Sequence, residues 1–212
     1  PWLAQRPFNA LVVGEHSLIK QQECEIRTIF GKDTFCNLSN LVPDNIHQLG
    51  GVGIVVKGKR PIVPDIICNE LKALAQLGRV GLYAAEVYPG KICLIYYVYG
   101  ISGGEQNNSL AAHTDHLINM CFADASMQPE GPKIICGDFN ATLSKLPETC
   151  EAMNSSGYIN PGSIASKFGG INDECTCNRN SKITSPSIRD YVLVNNTALD
   201  HIDNFTLDHD SG

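Results

Sequence analysis

No apolar run in the 212-residue sequence exceeds the eight residues Ile92 to Tyr99. A membrane-crossing helix needs roughly 20, so no membrane partner is expected. Positive charge is not in excess: 16 lysines and arginines stand against 22 aspartates and glutamates, a net charge of −6. Tight non-specific binding to a duplex grows with the cations laid along its phosphates, which disfavours a DNA-coating protein but allows a transient encounter at a metal-loaded acidic site. Low-complexity tracts, internal repeats and interdomain linkers are missing. With 43% hydrophobic and 18% charged residues, the composition excludes the disordered, collagenous and coiled-coil classes. At roughly 150 residues per domain, residues 1–212 read as one large domain. The sequence opens at Pro1 without Met and without a basic-then-apolar leader. The expectation is a domain truncated at both ends and an intracellular protein, nuclear or cytoplasmic rather than secreted. Nine cysteines, odd in number and mostly set in apolar segments such as Ile92-Cys93-Leu94, read as reduced thiols.

What is present is a succession of strand and helix signals. Phe8 to Val13 reads as a strand, followed by a helix over about 18–30 with Ser17 as its N-cap. Gly50 to Val56 is a buried strand, with Lys57, Lys59 and Arg60 behind it. Asn69 to Leu77 has helical spacing, and Arg79 to Val87 with Lys91 to Tyr99 form a hairpin around Tyr88-Pro89-Gly90. An amphipathic helix is expected over Asn108 to Phe122, a strand over Pro132 to Cys136 and a helix over Leu146 to Met153. Residues 154–187 read mostly as loop, and two strands close the chain, Tyr191 to Asn195 and about Ile202 to Leu207. A central hairpin mixed with strand-helix units argues for an α/β sandwich with its chemistry at strand ends.

Four sets of polar residues occupy such ends: Glu15, Tyr99, Asp138 with Asn140, and Asp190. In an extended chain alternate side chains face one way, so Asp138 and Asn140 share a surface while Phe139 turns inward. Each has a plain alternative: an Asx turn for Gly137 to Asn140, a first-turn carboxylate for Glu15, a core-edge phenol for Tyr99 and a strand-opening residue for Asp190. His113 and His116 around Asp115 read as a solvated helix face, and Cys175-x-Cys177, lacking a second pair, as loop thiols. Lys57, Lys59 and Arg60, or Arg179, Lys182 and Arg189, read either as tracks for a nucleic-acid backbone or as solvated charges.

In order and spacing, Glu15 after Val12-Val13, the strand 50–56, Tyr99-Gly100, Gly137-Asp138-Phe139-Asn140 and Arg189-Asp190-Tyr191-Val192-Leu193-Val194 resemble the endonuclease/exonuclease/phosphatase superfamily. The likeness is greatest to the endonuclease domains of non-LTR retrotransposons, which are similar to abasic-site endonucleases. It implies a DNase I-like α/β (α+β) fold, a four-layer sandwich of two mixed sheets face to face with helices outside. It also implies Mg²⁺-dependent phosphodiester hydrolysis, with Mn²⁺ as the alternative ion, DNA as transient partner and a reverse transcriptase in the same polyprotein. Carried over, Glu15 is the metal carboxylate, Tyr99 the phenol near the scissile phosphate and Asp138 the group that positions or deprotonates water. Asn140 hydrogen-bonds the phosphate or orients that water, and Asp190 is the late-strand acid; Arg189, next to it, is the further candidate for substrate binding.

Two departures stand out: Gly14 replaces the family's usual Gln before the Glu, and Gly100-Ile101 replaces its x-Pro after the Tyr. An asparagine from a preceding strand has no counterpart, and the closing Asp-His pair is either Asp208-His209 or lies beyond Gly212. Two other functions remain open: a phosphatase of the same fold acting on a phosphoinositide or nucleotide, and a degenerate, non-catalytic interaction module. The acidic balance favours these two, since a duplex cutter gains from a basic rim.

Overall fold

Val, Ile, Tyr and Leu dominate Lys91–Tyr99, and β-branched and aromatic side chains of this kind pack well on a pleated surface. The computed structural model describes residues 9–15, 28, 31, 33–39, 51–58, 60–177 and 186–207. Within them Val80–Tyr88 (β4) and Lys91–Tyr99 (β5) form the expected hairpin, closed by Pro89-Gly90, where Glu86 Oε1 accepts from the Gly90 N–H at 3.0 Å. β5 runs parallel to Lys133–Asp138 (β6), which pairs antiparallel with Asp190–Asn195 (β8), and Tyr158–Ile159 (β7) closes that side. The result is a five-stranded mixed sheet of order β4-β5-β6-β8-β7. A second, three-stranded sheet places Val52–Lys57 (β3) between Ala10–Gly14 (β1) and Thr34–Leu38 (β2), all antiparallel.

Strand alternation gives each sheet two apolar faces. Ile54 and Val56 of β3, with Ala10 and Val12, meet Tyr83 and Tyr97 between the sheets. On the opposite face of the larger sheet, Leu82, Tyr96, Val98, Ile135 and Leu193 pack under helices Asn69–Gln76 (α1), Asn108–Met127 (α2) and Pro147–Ser156 (α3). The architecture is the DNase I-like α/β sandwich that the resemblance implied, except that among the described residues only the larger sheet is mixed and the smaller is antiparallel throughout.

Two buried carboxylates fasten the helix layer. Asp124 accepts from the Ile67 and Cys68 N–H groups ahead of α1, at 2.6 and 2.7 Å, and from the Tyr96 hydroxyl at 2.7 Å. Asp115 accepts from the Glu148 and Thr149 N–H groups at the start of α3, at 2.9 and 2.7 Å. Asp115 satisfies first-turn donors of α3 that would otherwise be orphaned, and Asp124 holds the chain entering α1. Asp115 is therefore a structural cap, while His113 and His116 face solvent as the solvated-face reading holds.

Several elements differ from expectation. α2 runs on to Met127, five residues past Phe122, and ends before Pro129. β2 carries Asn37 in its middle and little alternation, which hid it from pattern reading. Residues 154–187 contain β7 and a 3₁₀ segment, Pro161–Phe168. Residues 202–207 are not a strand: Asn195 caps a short helix, Asn196–Leu199 (α4), and the segment beyond is pinned by a Phe205 N–H bond to Phe168 O at 3.1 Å. Of the helix expected over 18–30, only Thr28 is described, and it is helical. Lys59, Arg179, Lys182 and the Asp208-His209 pair lie outside the described residues.

Candidate active site

Register builds the site. Tyr99 at the end of β5 is paired with Asp138 at the end of β6, and Asp138 with Asp190 at the start of β8. Directly opposed residues present their side chains on one face, so a phenol and two carboxylates lie in one row at one edge of the five-stranded sheet. That face is the one turned towards the smaller sheet, since Tyr97, two residues before Tyr99, packs there. From the smaller sheet, just past β1, comes Glu15, whose Oε1 accepts the Tyr99 hydroxyl at 2.5 Å. Four of the expected residues thus meet at the rim where the sheets face each other.

The loops are shaped for this. Asp138 Oδ1 accepts the Asn140 N–H at 2.8 Å, an Asx turn, and the Asn140 amide nitrogen donates to Gly100 O at 3.3 Å. The plain reading of this tetrapeptide as an Asx turn holds, and the turn fixes Asn140 beside Asp138. Among the described residues, three non-glycines have positive φ, Glu15 (49°), Asn140 (53°) and Asp173 (51°). Two of them are at the site, where such conformations tend to be retained. Gly137 has φ 141°, and a Cβ there would lie 1.9 Å from Val98 O, so the residue before Asp138 has to be glycine. Gly14, where Gln is usual in the resembling family, has its own cause: a Cβ would stand 2.6 Å from the Tyr97 hydroxyl.

Burial and neighbouring negative charge set the electrostatics. Asp138 is pushed up to about 6, chiefly by desolvation, with the Asp190 and Glu15 charges adding and the Asn140 N–H and Arg189 opposing. Asp190 is exposed as a residue, yet its carboxyl is also pushed up by desolvation and by Glu15, against a lowering hydrogen bond to Thr176. Tyr99 is raised by burial and by its bond to Glu15, which keeps it a protonated donor. Beneath the row, burial drives the Cys136 thiol up to about 12, so it is an inert core group. Cys68, Cys93, Cys121, Cys136, Cys150, Cys175 and Cys177 are free thiols.

Three contributors were missed in the sequence. Thr176 Oγ1 accepts from the Arg189 and Asp190 N–H groups at 3.0 and 3.1 Å, bracing the start of β8. Ser102 Oγ shares a 3.1 Å hydrogen bond with the Tyr99 hydroxyl. The Arg79 guanidinium lies over the Tyr99 ring, 4.9 Å from its centroid. Arg79 alone had a signal, because the hairpin register sets it opposite Tyr99. Arg189 itself is buried rather than solvated, its Nε donating to Ser187 Oγ at 3.2 Å. A cavity of about 320 Å³ adjoins the row, with Val12, Tyr97, Asp190 and Phe205 among its walls.

No group of three or more His, Cys, Asp or Glu side chains among the described residues is arranged to hold a metal ion. Mg²⁺ does not require one: it is commonly held by one or two carboxylates with water filling its remaining positions. Glu15, Asp138 and Asp190 bring only oxygen donors to the rim, and burial, with neighbouring negative charge adding, raises Asp138 and Asp190, so the rim is short of positive charge and one or two of these carboxylates suit such an ion.

No protein-family model matches the chain, and no curated protein matches it in sequence. Solved structures do match in shape. An AP endonuclease from Archaeoglobus fulgidus superposes with a TM-score of 0.64 at 12% identity, over 92% of this chain and 79% of that one. TDP2 of D. rerio, complexed with a single-strand DNA product, gives 0.60 at 12% identity, over 88% and 70%. The 3′ phosphatase NExo from Neisseria, bound to a product DNA hairpin, gives 0.57 at 14% identity, over 92% and 79%.

Proposed function

We propose that this chain, which has the DNase I-like fold of the endonuclease/exonuclease/phosphatase superfamily, is a Mg²⁺-dependent phosphodiesterase that nicks DNA. The observation that carries the reading is the in-register row of Tyr99, Asp138 and Asp190, with Glu15 brought onto Tyr99 from the other sheet. The DNA bound in two of the similar structures supports DNA as the substrate class. The retroelement context and a neighbouring reverse transcriptase rest on the Gly-Asp-Phe-Asn and Arg-Asp-Tyr-Val-Leu-Val segments, and an intracellular setting on the nine cysteines read as reduced thiols.

In this mechanism Asp138 orients the attacking water and takes its proton, a task suited to a carboxyl poised near 6. Asn140, locked by its turn, donates to a phosphate oxygen. Burial chiefly keeps the Asp138 carboxyl's affinity for a proton high, and the Asp190 charge beside it adds to the effect. Tyr99 holds Glu15, the residue that would bind Mg²⁺, and Asp138 or Asp190 would complete the carboxylate set. The ion, when bound, supplies neutralisation of phosphate charge and stabilisation of the leaving alkoxide. No covalent nucleophile is required.

The test is nicking of supercoiled plasmid by the purified chain with Mg²⁺, against Asp138→Ala. Nicking by wild type alone supports the proposal, and equal nicking by both overturns it. Intact plasmid with phosphate released from nucleotides or phosphoinositides selects the phosphatase, which the net charge of −6 favours. Neither activity, in a protein extended past Gly212 so that the closing Asp-His pair is included, selects a non-catalytic interaction module.

A further inference from the structure

Arg79 stands one residue before β4, and the hairpin register sets it opposite Tyr99, whose N–H donates to Arg79 O at 2.8 Å. Its guanidinium covers the Tyr99 ring face, and its Nη1 donates to Gly100 O at 3.3 Å. The same carbonyl accepts from the Asn140 amide nitrogen at 3.3 Å. One backbone oxygen therefore joins two donors, and one arginine touches the phenol that holds Glu15 and the carbonyl that holds Asn140. Gly100 N–H donates in turn to Asp138 O at 2.7 Å. A Cβ at position 100 would come within 2.3 Å of Phe139 O, so the loops after β5 and β6 are pressed together at this junction.

We infer that Arg79 is a positioning residue that sets the Tyr99 ring and the Asn140 amide at once, an inference that rests on the phosphodiesterase reading above. A planar guanidinium stacks on the ring and donates in its own plane. A lysine at 79 brings charge without that plane, so charge alone does not reproduce the arrangement. Errors of about 1 Å in such groups cost on the order of 10²-fold in rate.

The experiment compares wild type, Arg79→Met and Arg79→Lys in steady-state nicking. Nuclear magnetic resonance of the Tyr99 ring and the Asn140 side-chain amide, assigned through Tyr99→Phe and Asn140→Asp, is run in parallel. Arg79→Met is expected to lower kcat by about 10- to 100-fold with KM little changed, and to shift both signals while the melting temperature moves by only a few degrees. Arg79→Lys should recover little of the rate. Full rescue by Lys, wild-type kcat in Arg79→Met, or a rate loss with both signals unmoved overturns the inference. If the wild type hydrolyses nothing, the phosphodiesterase reading falls, and the two signals alone decide whether Arg79 positions these groups.

Discussion

Asp138 and Asp190 are register partners across the β6–β8 ladder, two carboxylates directly opposed at the rim of the sheet. Like charges so placed work against folding, and the chain retains them where an incoming cation would be stabilised.

The first consequence concerns stability and pH. Asp138 is raised from an ordinary 3.8 to about 6 in the fold. Between those values the folded chain keeps a proton that the unfolded chain releases, so this group's contribution is present below about 4 and lost as pH rises through about 6. Asp138→Asn keeps an oxygen to accept the Asn140 N–H and removes the charge. The variant should match wild type near pH 3.5, and its melting temperature should exceed wild type by a few degrees at pH 7 to 8. A difference that does not grow between pH 4 and 6 contradicts this.

Mg²⁺ should stabilise the protein, and more so at high pH, because its carboxylate ligands have to be deprotonated. Thermal melts with and without millimolar Mg²⁺ are expected to differ more at pH 8 than at pH 5. A chelator should return the protein to its metal-free melting temperature without unfolding it.

Thr176→Val deprives the Arg189 and Asp190 N–H groups of their acceptor. The expected cost is about 1 kcal/mol of stability, with nicking reduced at least about 10-fold as Asp190 loses its brace. Thr176→Ser restores the hydroxyl and should recover both, read by urea denaturation and plasmid assay.

Gly137→Ala places a methyl group 1.9 Å from Val98 O at φ 141°. Denaturant melts should show a loss of about 3 kcal/mol, since β5 and β6 have to separate to admit it. A loss under about 1 kcal/mol would mean that the ladder yields more easily than its register implies.

The parts of the fold that sequence reading captured are those whose signal is local. The hairpin, β1, β3, β6, β8 and α1 each announce themselves by alternation, periodicity or a Pro-Gly turn. Glu15, Tyr99, Asp138 and Asp190 were legible because each stands at a strand end. β2 was not, because Asn37 interrupts its pattern, and residues 202–207 read as a strand because Ile202 and Leu207 look strand-like without a ladder to join. Thr176 left no trace, since its role depends on a loop returning to β8 over 13 and 14 residues. Arg189 read as a backbone-tracking or a solvated cation because nothing local says that the start of β8 is covered.

The Tyr99–Glu15 bond joins residues 84 positions apart. At roughly 5–20 residues per second of synthesis, Glu15 is joined to the chain about 4 to 17 s before Tyr99. Until then the turn after β1 has no hydroxyl to hold its carboxylate, and β6 waits longer still for β8. A nascent chain of this protein therefore carries its acidic groups as scattered, hydrated charges, and they are gathered into one row only after β8 has been made.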